Sequence, residues 1–361
     1  MNRRADAWST VTCLRPLLRV SGSLSLWLIA LRGAANLDKR PGWCHFRRVS
    51  QSKLDQLRAR LRSYASCLVA YSGGVDSVFL ACVARDVLGD KSLAVIADSP
   101  SLPRRELAEA LEIARRFGIP IRVVRSKEFE NPHYLANPAN RCYFCKQELF
   151  AELTPIARAE GFAVIAYGEN ASDTGDFRPG AQAAKEVGAR APLKEVGLTK
   201  AEIRELSAQL GLPTADKPQM ACLSSRLPYG EAVTPEKLRM IEAAEGLLRD
   251  LGFHDVRVRH HELRSPESAA QAVTDGGTPA SGSPFAFPGA LTPSVQHLAR
   301  IEVAPAEMPT LIGNGAAARV GEALRKIGYT HVTVDLLGYR RGSTNEVLVR
   351  PGEKANPTAT G

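Results

Sequence analysis

The stretch Tyr71-Ser72-Gly73-Gly74-Val75-Asp76-Ser77 follows a short apolar run and precedes a helical pattern. A strand, a glycine pair and then a helix place free backbone N–H groups and the positive end of a helix around one point, where a phosphate group binds. The glycines let the backbone approach the anion, and the Ser72 and Ser77 hydroxyls add donors. Asp76 is a carboxylate in this cradle, and it predicts a Mg²⁺ ion held between itself and the phosphates.

The string Ser-Gly-Gly-x-Asp-Ser in a strand-to-helix setting resembles the signature of the PP-loop ATP pyrophosphatases. The resemblance implies that the chain releases pyrophosphate from ATP and leaves AMP on an oxygen of its substrate. The Gly-Lys-Ser/Thr ending of a P-loop and the third glycine of a dinucleotide fingerprint are both missing, which disfavours kinases and dehydrogenases. An ordinary βα turn is the structural alternative.

Length and charge limit the classes of protein to which this chain can belong. The chain has 361 residues, of which 44% are hydrophobic, so we expect two domains with their own cores. The formal net charge is +9, but +7 of it falls in residues 1–50, which hold nine Lys and Arg against two Asp. The rest of the chain is nearly neutral, which argues against a large nucleic-acid footprint and leaves a local basic groove as the alternative.

Residues 1–50 indicate a leader or extension and not folded sequence. They are rich in Arg and poor in acids, and their apolar run, residues 24–31, is too short to span a bilayer. An organelle transit peptide, a signal-like leader and an upstream extension from a misplaced start codon all fit this composition. Seven cysteines without a paired pattern favour a reducing compartment. We therefore expect a cytoplasmic protein without membrane contact, with organelle import through residues 1–50 as the alternative.

Beyond residue 50, short apolar strands alternate with helical patterns. The predicted strands are 67–71, 92–97, 121–124 and 162–167, and the predicted helices are 52–64, 75–88, 103–117, 142–160 and 199–210. This alternation predicts an α/β fold with a doubly wound, Rossmann-like parallel sheet, whose ligands lie at the carboxyl ends of the strands. We assign residues 51–215 to this ATP-binding domain.

Polar residues follow two of these strands. A loop of this kind is usually a solvated turn, but both loops share one sheet edge with the glycine loop. We expect Asp173 to act as a second metal or substrate group. The predicted ATP-binding residues are Ser72, Gly73, Gly74, Asp76, Ser77, Asp98, Ser99, Gly168, Asn170 and Asp173.

Residues 216–346 form the second predicted domain, a smaller C-terminal α+β module. Its pattern contains a helix at 234–251, a strand at 255–261, and then a strand, a helix and a strand at 300–303, 317–327 and 331–336. The first strand places Arg257 and Arg259 on one face. Residues 265–296 are rich in Ser, Pro, Gly and Ala and indicate a flexible insertion, and residues 347–361 indicate a disordered tail.

Three cysteines fall in positions that suit a metal. Cys142 and Cys145 form a C-x-x-C pair at the start of a helix, and Cys222 lies in the irregular stretch after the sheet domain. A helix N-terminus lowers the pKa of a thiol, so we expect reactive or metal-ready sulfurs. Three thiolates hold either a 4Fe-4S cluster with one iron left open or a zinc ion that lacks one ligand. The C-x-x-C spacing alone also arises by chance.

Together, the glycine loop, the segments 141–146 and 168–170 and the stretch Ala221-Cys-Leu-Ser-Ser-Arg-Leu-Pro-Tyr-Gly230 resemble the LarE family. These enzymes are ATP-dependent sulfur transferases that build the nickel-pincer nucleotide of lactate racemase. The resemblance covers roughly residues 51–346 and implies a nicotinate-derived substrate, pyridinium-3,5-dicarboxylic acid mononucleotide, whose carboxylates become thiocarboxylates. It also implies a downstream nickel-inserting partner and a homo-oligomer. Residues 1–50 and 265–296 depart from the family pattern.

The resemblance implies two chemical stages. A substrate carboxylate attacks ATP bound with Mg²⁺ at the glycine loop, and a sulfur nucleophile then displaces AMP from the acyl adenylate. In one branch of the family the cysteine matching Cys222 gives up its own sulfur, and in the other it joins a C-x-x-C pair to hold a 4Fe-4S cluster. All three cysteines are present here, so we predict cluster ligation by Cys142, Cys145 and Cys222, with zinc or a sacrificial Cys222 as alternatives.

The resemblance also places residues around the substrate. Paired arginines on one strand face suit a phosphate group, because guanidinium forks bind it bidentately. A solvated strand face is the simpler alternative for this pair. The implied catalytic residues are Cys222, Ser225, Arg226 and Glu245, and the implied substrate-binding residues are Arg257 and Arg259.

Other functions compete with this one. A PP-loop tRNA thiolase or related base-modifying enzyme would also use C-x-x-C cysteines. A non-catalytic zinc or nucleotide-binding protein would use the cysteines structurally. An ammonia-using carboxylate amidase shares the glycine loop but leaves the three cysteines unexplained.

Overall fold

The computed structural model describes residues 41–173, 179–219, 221–263, 295–313 and 315–340. Contacts divide the chain into two units, residues 1–51 and residues 52–361. The described residues 41–51 belong to helix α1, Pro41–Tyr64. The sequence pattern predicted a start at Ser52, but the helix begins at Pro41, since proline suits a first helical turn that needs no backbone N–H.

The first sheet contains four parallel strands. They are β1 Cys67–Ala70, β2 Ser92–Asp98, β3 Ile121–Arg125 and β4 Val164–Tyr167. The spatial order is β3-β2-β1-β4, and all three pairings are parallel. The order reverses between β1 and β4, which creates the crevice where open α/β sheets bind ligands. The predicted doubly wound α/β fold is confirmed.

Helices cover both faces of this sheet. They are α2 Val75–Leu88, α3 Arg104–Arg116, α4 Pro132–Leu135, α5 Arg141–Ala159, α6 Pro179–Glu186, α7 Pro192–Glu195 and α8 Lys200–Gln209. Val69 and Ile96 pack on α2, α3 and α8, whereas Leu68 and Val95 pack on α5. Alternate strand residues face opposite cores, as in a buried parallel sheet. Helices α4, α6 and α7 were not predicted, because each is too short to show a hydrophobic period.

A second, three-stranded sheet forms the predicted small α+β module. Its strands are β5 Arg257–Leu263, β6 Gln296–Glu302 and β7 His331–Val334, and its helices are α9 Pro235–Asp250, α10 Met308–Ile312 and α11 Ala316–Ile327. The order is β5-β6-β7, with an antiparallel and then a parallel pairing. Leu248 of α9 and Leu324 of α11 pack in its core.

A separate apolar cluster contains residues from the helices and loops that lie near both sheets. It contains Tyr134 of α4, Leu223, and Ile241 of α9, and Cys145 of α5 packs against it. The cluster therefore brings the start of α5 next to the irregular stretch that carries Cys222.

The described part of the chain contains no helix that combines the length and the apolarity needed to cross a membrane. Most of the predicted leader (residues 1–40), most of the predicted insertion (residues 265–294) and the predicted tail (residues 347–361) lie outside the described residues.

Candidate functional site

The glycine loop lies between β1 and α2 at the carboxyl edge of the first sheet. Gly73 has φ +73°, a left-handed conformation that glycine adopts readily. A Cβ atom at Gly73 would also stand 2.7 Å from the Cβ atom of Ala110 in α3. Ser77 Oγ accepts a hydrogen bond from the backbone N–H of Ser72 at 3.1 Å. The loop is therefore a compact turn at the N-terminus of a 14-residue helix, as an anion site requires.

Gly168, directly after β4, forms the opposite wall of this loop. A Cβ atom there would stand 2.9 Å from the backbone N of Ser77 and 3.1 Å from the Cβ atom of Asp76. Because glycine carries no Cβ, the loop after β4 can touch the first turn of α2. The predicted ATP-binding residues of these two loops are neighbours.

Asn170 and Asp173 shape the loop after β4. Asn170 is 1% exposed, and its side-chain Oδ1 accepts a hydrogen bond from Ser172 N at 2.9 Å. The backbone N–H of Asn170 donates to Asp173 Oδ2 at 3.1 Å. Both predicted residues are thus built into the geometry of the loop that faces α2.

Lys200 reaches the glycine loop from the first turn of α8. Its Nζ lies 2.6 Å from Asp76 Oδ2, and its backbone N–H donates to Ser172 Oγ at 3.0 Å. Thr199 and Glu202 cap the helix reciprocally, which fixes the direction of this turn. The sequence reasoning missed Lys200 as a site residue. The sequence predicted the start of this helix at Thr199, but the contact between Lys200 and Asp76 spans 124 positions of the chain.

Asp98 and Ser99 lie at the carboxyl end of β2, beside β1. Arg104 binds both of them, with Nη1 at 2.5 Å from Asp98 Oδ1 and Nη2 at 2.6 Å from the carbonyl oxygen of Ser99. A guanidinium at a strand end suits an anionic or polar part of a ligand. The residues that line a cavity here are Asp98, Ser99, Pro100, Arg104, Arg125 and Ser126.

The structure brings the three cysteines of the predicted metal site together. Cys142 and Cys145 lie in the first turns of α5, and Cys222 directly precedes the 3-10 turn Leu223–Arg226. Cys222 lies close enough to both α5 cysteines for its charge to raise the pKa of each. Cys67, in contrast, is buried in the core of the first sheet.

The pKa of the two α5 thiols is raised and not lowered. Burial is the largest cause of the raised pKa in both thiols. It raises the pKa of Cys142 as well, although part of that residue is exposed to solvent. The Glu128 carboxylate then raises the pKa of Cys145 further. The expectation that the helix N-terminus would lower these pKa values is wrong, because desolvation and neighbouring negative charge outweigh the helix end.

Cys142, Cys145 and Cys222 supply the thiol donors that a metal group would need. Within the described ranges, no three His, Cys, Asp or Glu side chains are arranged to hold a single metal ion. Desolvation and neighbouring negative charge disfavour the thiolate forms of Cys142 and Cys145, and a cationic metal group would reverse this by binding them as thiolates. The thiol donors of Cys142, Cys145 and Cys222 have the chemistry that suits either an iron–sulfur cluster or zinc, and cluster ligation stays a prediction.

Arg226 holds the loop that carries Cys222. Its side chain is 1% exposed and binds Glu245 twice, Nε to Oε1 at 2.8 Å and Nη2 to Oε2 at 3.0 Å. Its Nη1 donates to the carbonyl oxygens of Ala221 and Cys222 at 2.7 and 3.0 Å and to the Ser225 hydroxyl at 2.9 Å. Burial is the largest influence on the pKa of Glu245 and would raise it, but Arg226, together with Arg257 and Arg249, holds that pKa below its ordinary value. The pair therefore fixes the backbone around Cys222.

Arg257 and Arg259 lie on one face of β5 and are 3% and 7% exposed. The alternative of a solvated strand face is wrong, because both side chains are buried. Arg259 Nη2 lies 2.9 Å from Glu302 Oε2, and its Nη1 donates to the carbonyl oxygen of Ser225 at 2.9 Å. The second sheet thus contacts the loop that carries Cys222.

Arg257 adds positive charge to the same region. Its guanidinium carbon lies 4.7 Å from the centre of the Tyr339 ring. Burial and the nearby Arg226 lower the pKa of Arg257, although Glu245 partly compensates. The guanidinium groups of Arg226 and Arg257 thus lie near the same carboxylate, that of Glu245, and a region rich in guanidinium groups suits an anion such as phosphate.

A direct hydrogen bond links the sheet edge to the loop of Cys222. The backbone N–H of Leu223 donates to the carbonyl oxygen of Ser101 at 2.9 Å. Ser101 in turn lies 2.8 Å from Ser99, hydroxyl to hydroxyl. The predicted nucleotide edge and the cysteine site are therefore adjacent.

Comparison with known proteins identifies relatives over most of the chain. No family model matches it. The chain is 42% identical over 300 residues to an uncharacterized protein of Synechocystis sp., a match that covers 83% of this chain and 99% of that protein. It is 31% identical over 301 residues to the pyridinium-3,5-bisthiocarboxylic acid mononucleotide synthase of Lactiplantibacillus plantarum, which covers 83% of this chain and 96% of that enzyme.

A more distant relative covers part of the chain. It is one of the subunits of the glutamine-hydrolysing GMP synthase of Pyrococcus abyssi, with 26% identity over 220 residues, which is 55% of this chain and 68% of that relative. The match to the Lactiplantibacillus synthase, in contrast, extends over nearly all of that enzyme. The chain therefore belongs to the LarE family of enzymes.

Proposed function

We propose that this protein is an ATP-dependent sulfur transferase that converts a carboxylate of pyridinium-3,5-dicarboxylic acid mononucleotide into a thiocarboxylate during synthesis of the nickel-pincer nucleotide. The observation that carries the proposal is the hydrogen bond from Leu223 to Ser101, which joins an anion-binding sheet edge to a cysteine-bearing loop. An adenylating site alone would not need three cysteines, and a metal site alone would not need the glycine loop. The Lactiplantibacillus relative is a pyridinium-3,5-bisthiocarboxylic acid mononucleotide synthase, which supports the choice of product.

The first stage is adenylation. A carboxylate oxygen of the substrate bonds to the α-phosphorus of ATP, and pyrophosphate leaves with the electron pair of the broken P–O bond. The backbone N–H groups around Gly73 and Gly74 would bind the phosphates, and Asp76 would hold the Mg²⁺ ion that neutralises them. Lys200, at 2.6 Å from Asp76, would supply a second positive charge. Such a step needs mainly positioning and charge neutralisation.

The second stage is sulfur transfer. A sulfur nucleophile attacks the acyl carbon, and AMP leaves with the electron pair of its C–O bond. Cys142, Cys145 and Cys222 would hold the 4Fe-4S cluster, which supplies the sulfur atom when bound. The buried Arg226–Glu245 pair keeps the loop of Cys222 in place during this stage.

The substrate would lie between the two sheets, within reach of both stages. Its phosphate would bind at Arg257 and Arg259, where buried positive charge accumulates. The proposal thus assigns ATP to residues 51–215 and the substrate and sulfur transfer to residues 216–346. A homo-oligomer, a nickel-inserting partner and a cytoplasmic location remain predictions from the sequence and the family resemblance.

The test is an anaerobic incubation of the iron-reconstituted protein with ATP, Mg²⁺ and the pyridinium dicarboxylate nucleotide. Mass spectrometry follows both the product and the intact protein. The Cys222→Ser variant is compared with Cys82→Ser, which changes a cysteine packed against the core of the first sheet. We expect thiocarboxylate from the wild type and from Cys82→Ser, and none from Cys222→Ser.

The mass of the protein distinguishes the two sulfur sources. An unchanged protein mass supports the cluster. Loss of hydrogen sulfide from Cys222 keeps the sulfur transferase but replaces the cluster with a sacrificial cysteine. A product without sulfur, with pyrophosphate released on another substrate, would contradict the proposal and favour tRNA thiolation or another adenylating reaction.

A further inference from the structure

Arg141 is a buried cation at the start of the helix that carries Cys142 and Cys145. It is the first residue of α5 and is 4% exposed. Burying a charged side chain costs free energy unless a group of opposite charge compensates it. The partners of this guanidinium therefore indicate what it binds.

The hydrogen-bond acceptors of Arg141 in the described part of the chain are neutral. Its Nη1 donates to Asn137 Oδ1 and, at 3.0 Å, to the carbonyl oxygen of Ser224. Its Nε is buried and has no hydrogen-bond acceptor among the described residues. The guanidinium carbon lies 5.5 Å from the centre of the Tyr229 ring. The side chain thus carries a buried positive charge that no carboxylate of the described ranges balances.

Two other buried arginines of the molecule show the usual arrangement. Arg226, which is 1% exposed, binds Glu245 at 2.8 Å. Arg259, which is 7% exposed, binds Glu302 at 2.9 Å. Arg141 is buried to a similar extent without such a carboxylate. A bound anion can supply the negative charge that the chain itself supplies to the other two.

The position of Arg141 indicates which anion this is. Its backbone directly precedes Cys142, whereas its guanidinium binds the carbonyl oxygen of Ser224 in the 3-10 turn that follows Cys222. The charge therefore lies between the two segments that carry the cysteines. Thiolate and sulfide sulfur are the anions that a site built from cysteines holds.

Asn137 fixes the guanidinium in this place. It is fully buried and has φ +53°, in the left-handed region that residues other than glycine rarely adopt. Its Nδ2 donates to the carbonyl oxygens of Pro228 and Glu231 at 2.7 and 3.0 Å. Its own carbonyl oxygen accepts a hydrogen bond from the backbone N–H of Gly230 at 2.9 Å. Asn137 thus ties the stretch beyond the cysteine loop to the side chain of Arg141.

We propose that Arg141 supplies the positive charge that balances anionic sulfur at the cysteine site, and that Asn137 holds its guanidinium there. This inference rests on the proposed function, because that function places thiolate or sulfide sulfur between these two segments. Arg141 is a charge-balancing and positioning residue in this arrangement. Lysine at this position would keep the charge without the planar fork, whereas glutamine would keep a hydrogen-bond donor without the charge.

The test measures the local charge in full-length protein that is reduced and free of metal. The cysteines are alkylated at one pH with iodoacetate, which is an anion, and separately with the neutral iodoacetamide, and peptide mass spectrometry gives the rate at each cysteine. The ratio of the two rates reports the charge around a thiol, because thiol ionisation and access affect both reagents alike. The same protein unfolded in urea supplies the reference ratio for each cysteine. At the exposed Cys142 we expect the ratio to be about threefold to tenfold higher in the folded wild type than in urea.

Variants then assign this charge to one side chain. Arg141→Gln should lower the ratio at Cys142 about threefold to tenfold, and Arg141→Lys should keep it within about twofold of the wild type. The matched control is Arg158→Met, which removes one positive charge from an exposed position in the last turn of the same helix. It lies about 24 Å from Cys142 along the helix, beyond the Debye length, and should leave the ratio unchanged. A purely structural role of Arg141 would change both rates together and leave their ratio as it is.

Asn137→Gly tests the position of the charge. Glycine adopts φ +53° readily, but it lacks the amide that holds Arg141. The ratio at Cys142 should therefore fall in the same direction as in Arg141→Gln, although the arginine is still present. If Arg141→Gln does not fold, Asn137→Gly and the comparison of folded with unfolded wild type still test the proposal. Added salt should also lower the ratio of the folded wild type towards that of the unfolded protein.

Equal ratios at Cys142 in the wild type and in Arg141→Gln would overturn the proposal, and so would a wild-type ratio that does not change on unfolding. A wild-type ratio in Asn137→Gly would show that Asn137 does not hold the charge in place. A wild-type protein that transfers no sulfur would instead contradict the proposed function. The alkylation experiment needs neither ATP nor metal, so the two failures are distinguishable.

Discussion

The glycine loop and the cysteine site are built in opposite ways. The loop is local, because consecutive residues, small side chains and backbone N–H groups form it. Gly73 within the loop and Gly168 in the wall opposite it leave no room for an added Cβ atom. The cysteine site is assembled from distant segments. Arg141, at the start of α5, donates to the carbonyl oxygen of Ser224, which is 83 positions further along the chain. Added atoms should therefore disrupt the structure of the glycine loop, whereas removed atoms should disrupt the structure of the cysteine site.

The largest effect is expected on the side of the cysteine site. Replacing Arg226 by Met removes the bidentate partner of the buried Glu245 and leaves it with the single contact from Arg249 at 3.2 Å. Breaking a buried ion pair in this way costs about 3–5 kcal/mol. We expect the free energy of unfolding, measured by urea denaturation followed by circular dichroism, to fall by about this amount. The control is Arg239→Met on helix α9, which also carries Glu245, because the pair of Arg239 with Glu236 at 2.7 Å is exposed. Its loss should cost less than about 1 kcal/mol, and equal costs for the two variants would show that Arg226 does not act as a buried support.

The next effect tests the opposite failure, by adding one methyl group to the wall that faces the glycine loop. In Gly168→Ala the new Cβ atom would stand 2.9 Å from the backbone N of Ser77, and backbone cannot move aside as a flexible side chain does. Overpacking of this kind costs about 1–3 kcal/mol, so we expect the affinity for Mg²⁺-ATP to fall between about tenfold and a hundredfold in isothermal titration. Gly246→Ala in α9 is the matched control, since no heavy atom lies within 4 Å of its added Cβ. Unchanged ATP affinity in Gly168→Ala would mean that the nucleotide does not bind where β4 meets α2.

The same contrast explains what the sequence could reveal. The turn at Gly73 and the helix cap at Thr199 depend on residues a few positions apart, so a local pattern is enough to predict them. The apolar alternation of the strands predicted the doubly wound sheet for the same reason. These features lie where local preference and tertiary structure agree.

Features that depend on distant contacts were missed or predicted wrongly. The helix N-terminus alone indicated a low thiol pKa for Cys145, whereas burial and Glu128 raise it. Lys200 was not predicted as a site residue, because no residue near it in the sequence indicates its contact with Asp76. The family resemblance identified Arg226 and Glu245 as site residues, but it did not indicate that they contact each other. Desolvation and long-range pairing depend on the folded chain, and no window of sequence contains them.

Lys200 sharpens the comparison, because it is a long-range element in an otherwise local site. In Lys200→Met the carboxylate of Asp76 would face the phosphates of ATP with one positive charge fewer. Losing one charged hydrogen-bond donor corresponds to about tenfold weaker binding of Mg²⁺-ATP, measured by isothermal titration. Lys53→Met is the control, since that lysine pairs with Glu202 of α8 at 2.7 Å. If both variants bind ATP equally, Lys200 supports the helix and not the nucleotide.

The smallest expected effect is a pH dependence of the free energy of unfolding that comes from the second sheet. His260 of β5 is fully buried, and burial, helped by His297, lowers its pKa to about 3. In the unfolded chain a histidine has a pKa of about 6.5, so the unfolded state takes up the proton first as the pH falls. The stability that comes from a neutral His260 is therefore fully present above about pH 6.5 and is lost progressively towards pH 3. The titratable groups that surround it are His261, His297, Lys237, Glu262 and Tyr329.

We expect the free energy of unfolding to fall by about 1 kcal/mol between pH 7.5 and 5.5, and the slope to be shallower in His260→Asn. His331→Asn, at an exposed position of β7, should keep the wild-type slope. The affinity for Mg²⁺-ATP should change little over the same range, because the glycine loop lies in the other sheet domain and contains no histidine. If the affinity for ATP instead declines together with stability, the glycine loop and the second sheet are energetically coupled. The hydrogen bond from Leu223 to Ser101 is then the first contact to test as the route of that coupling.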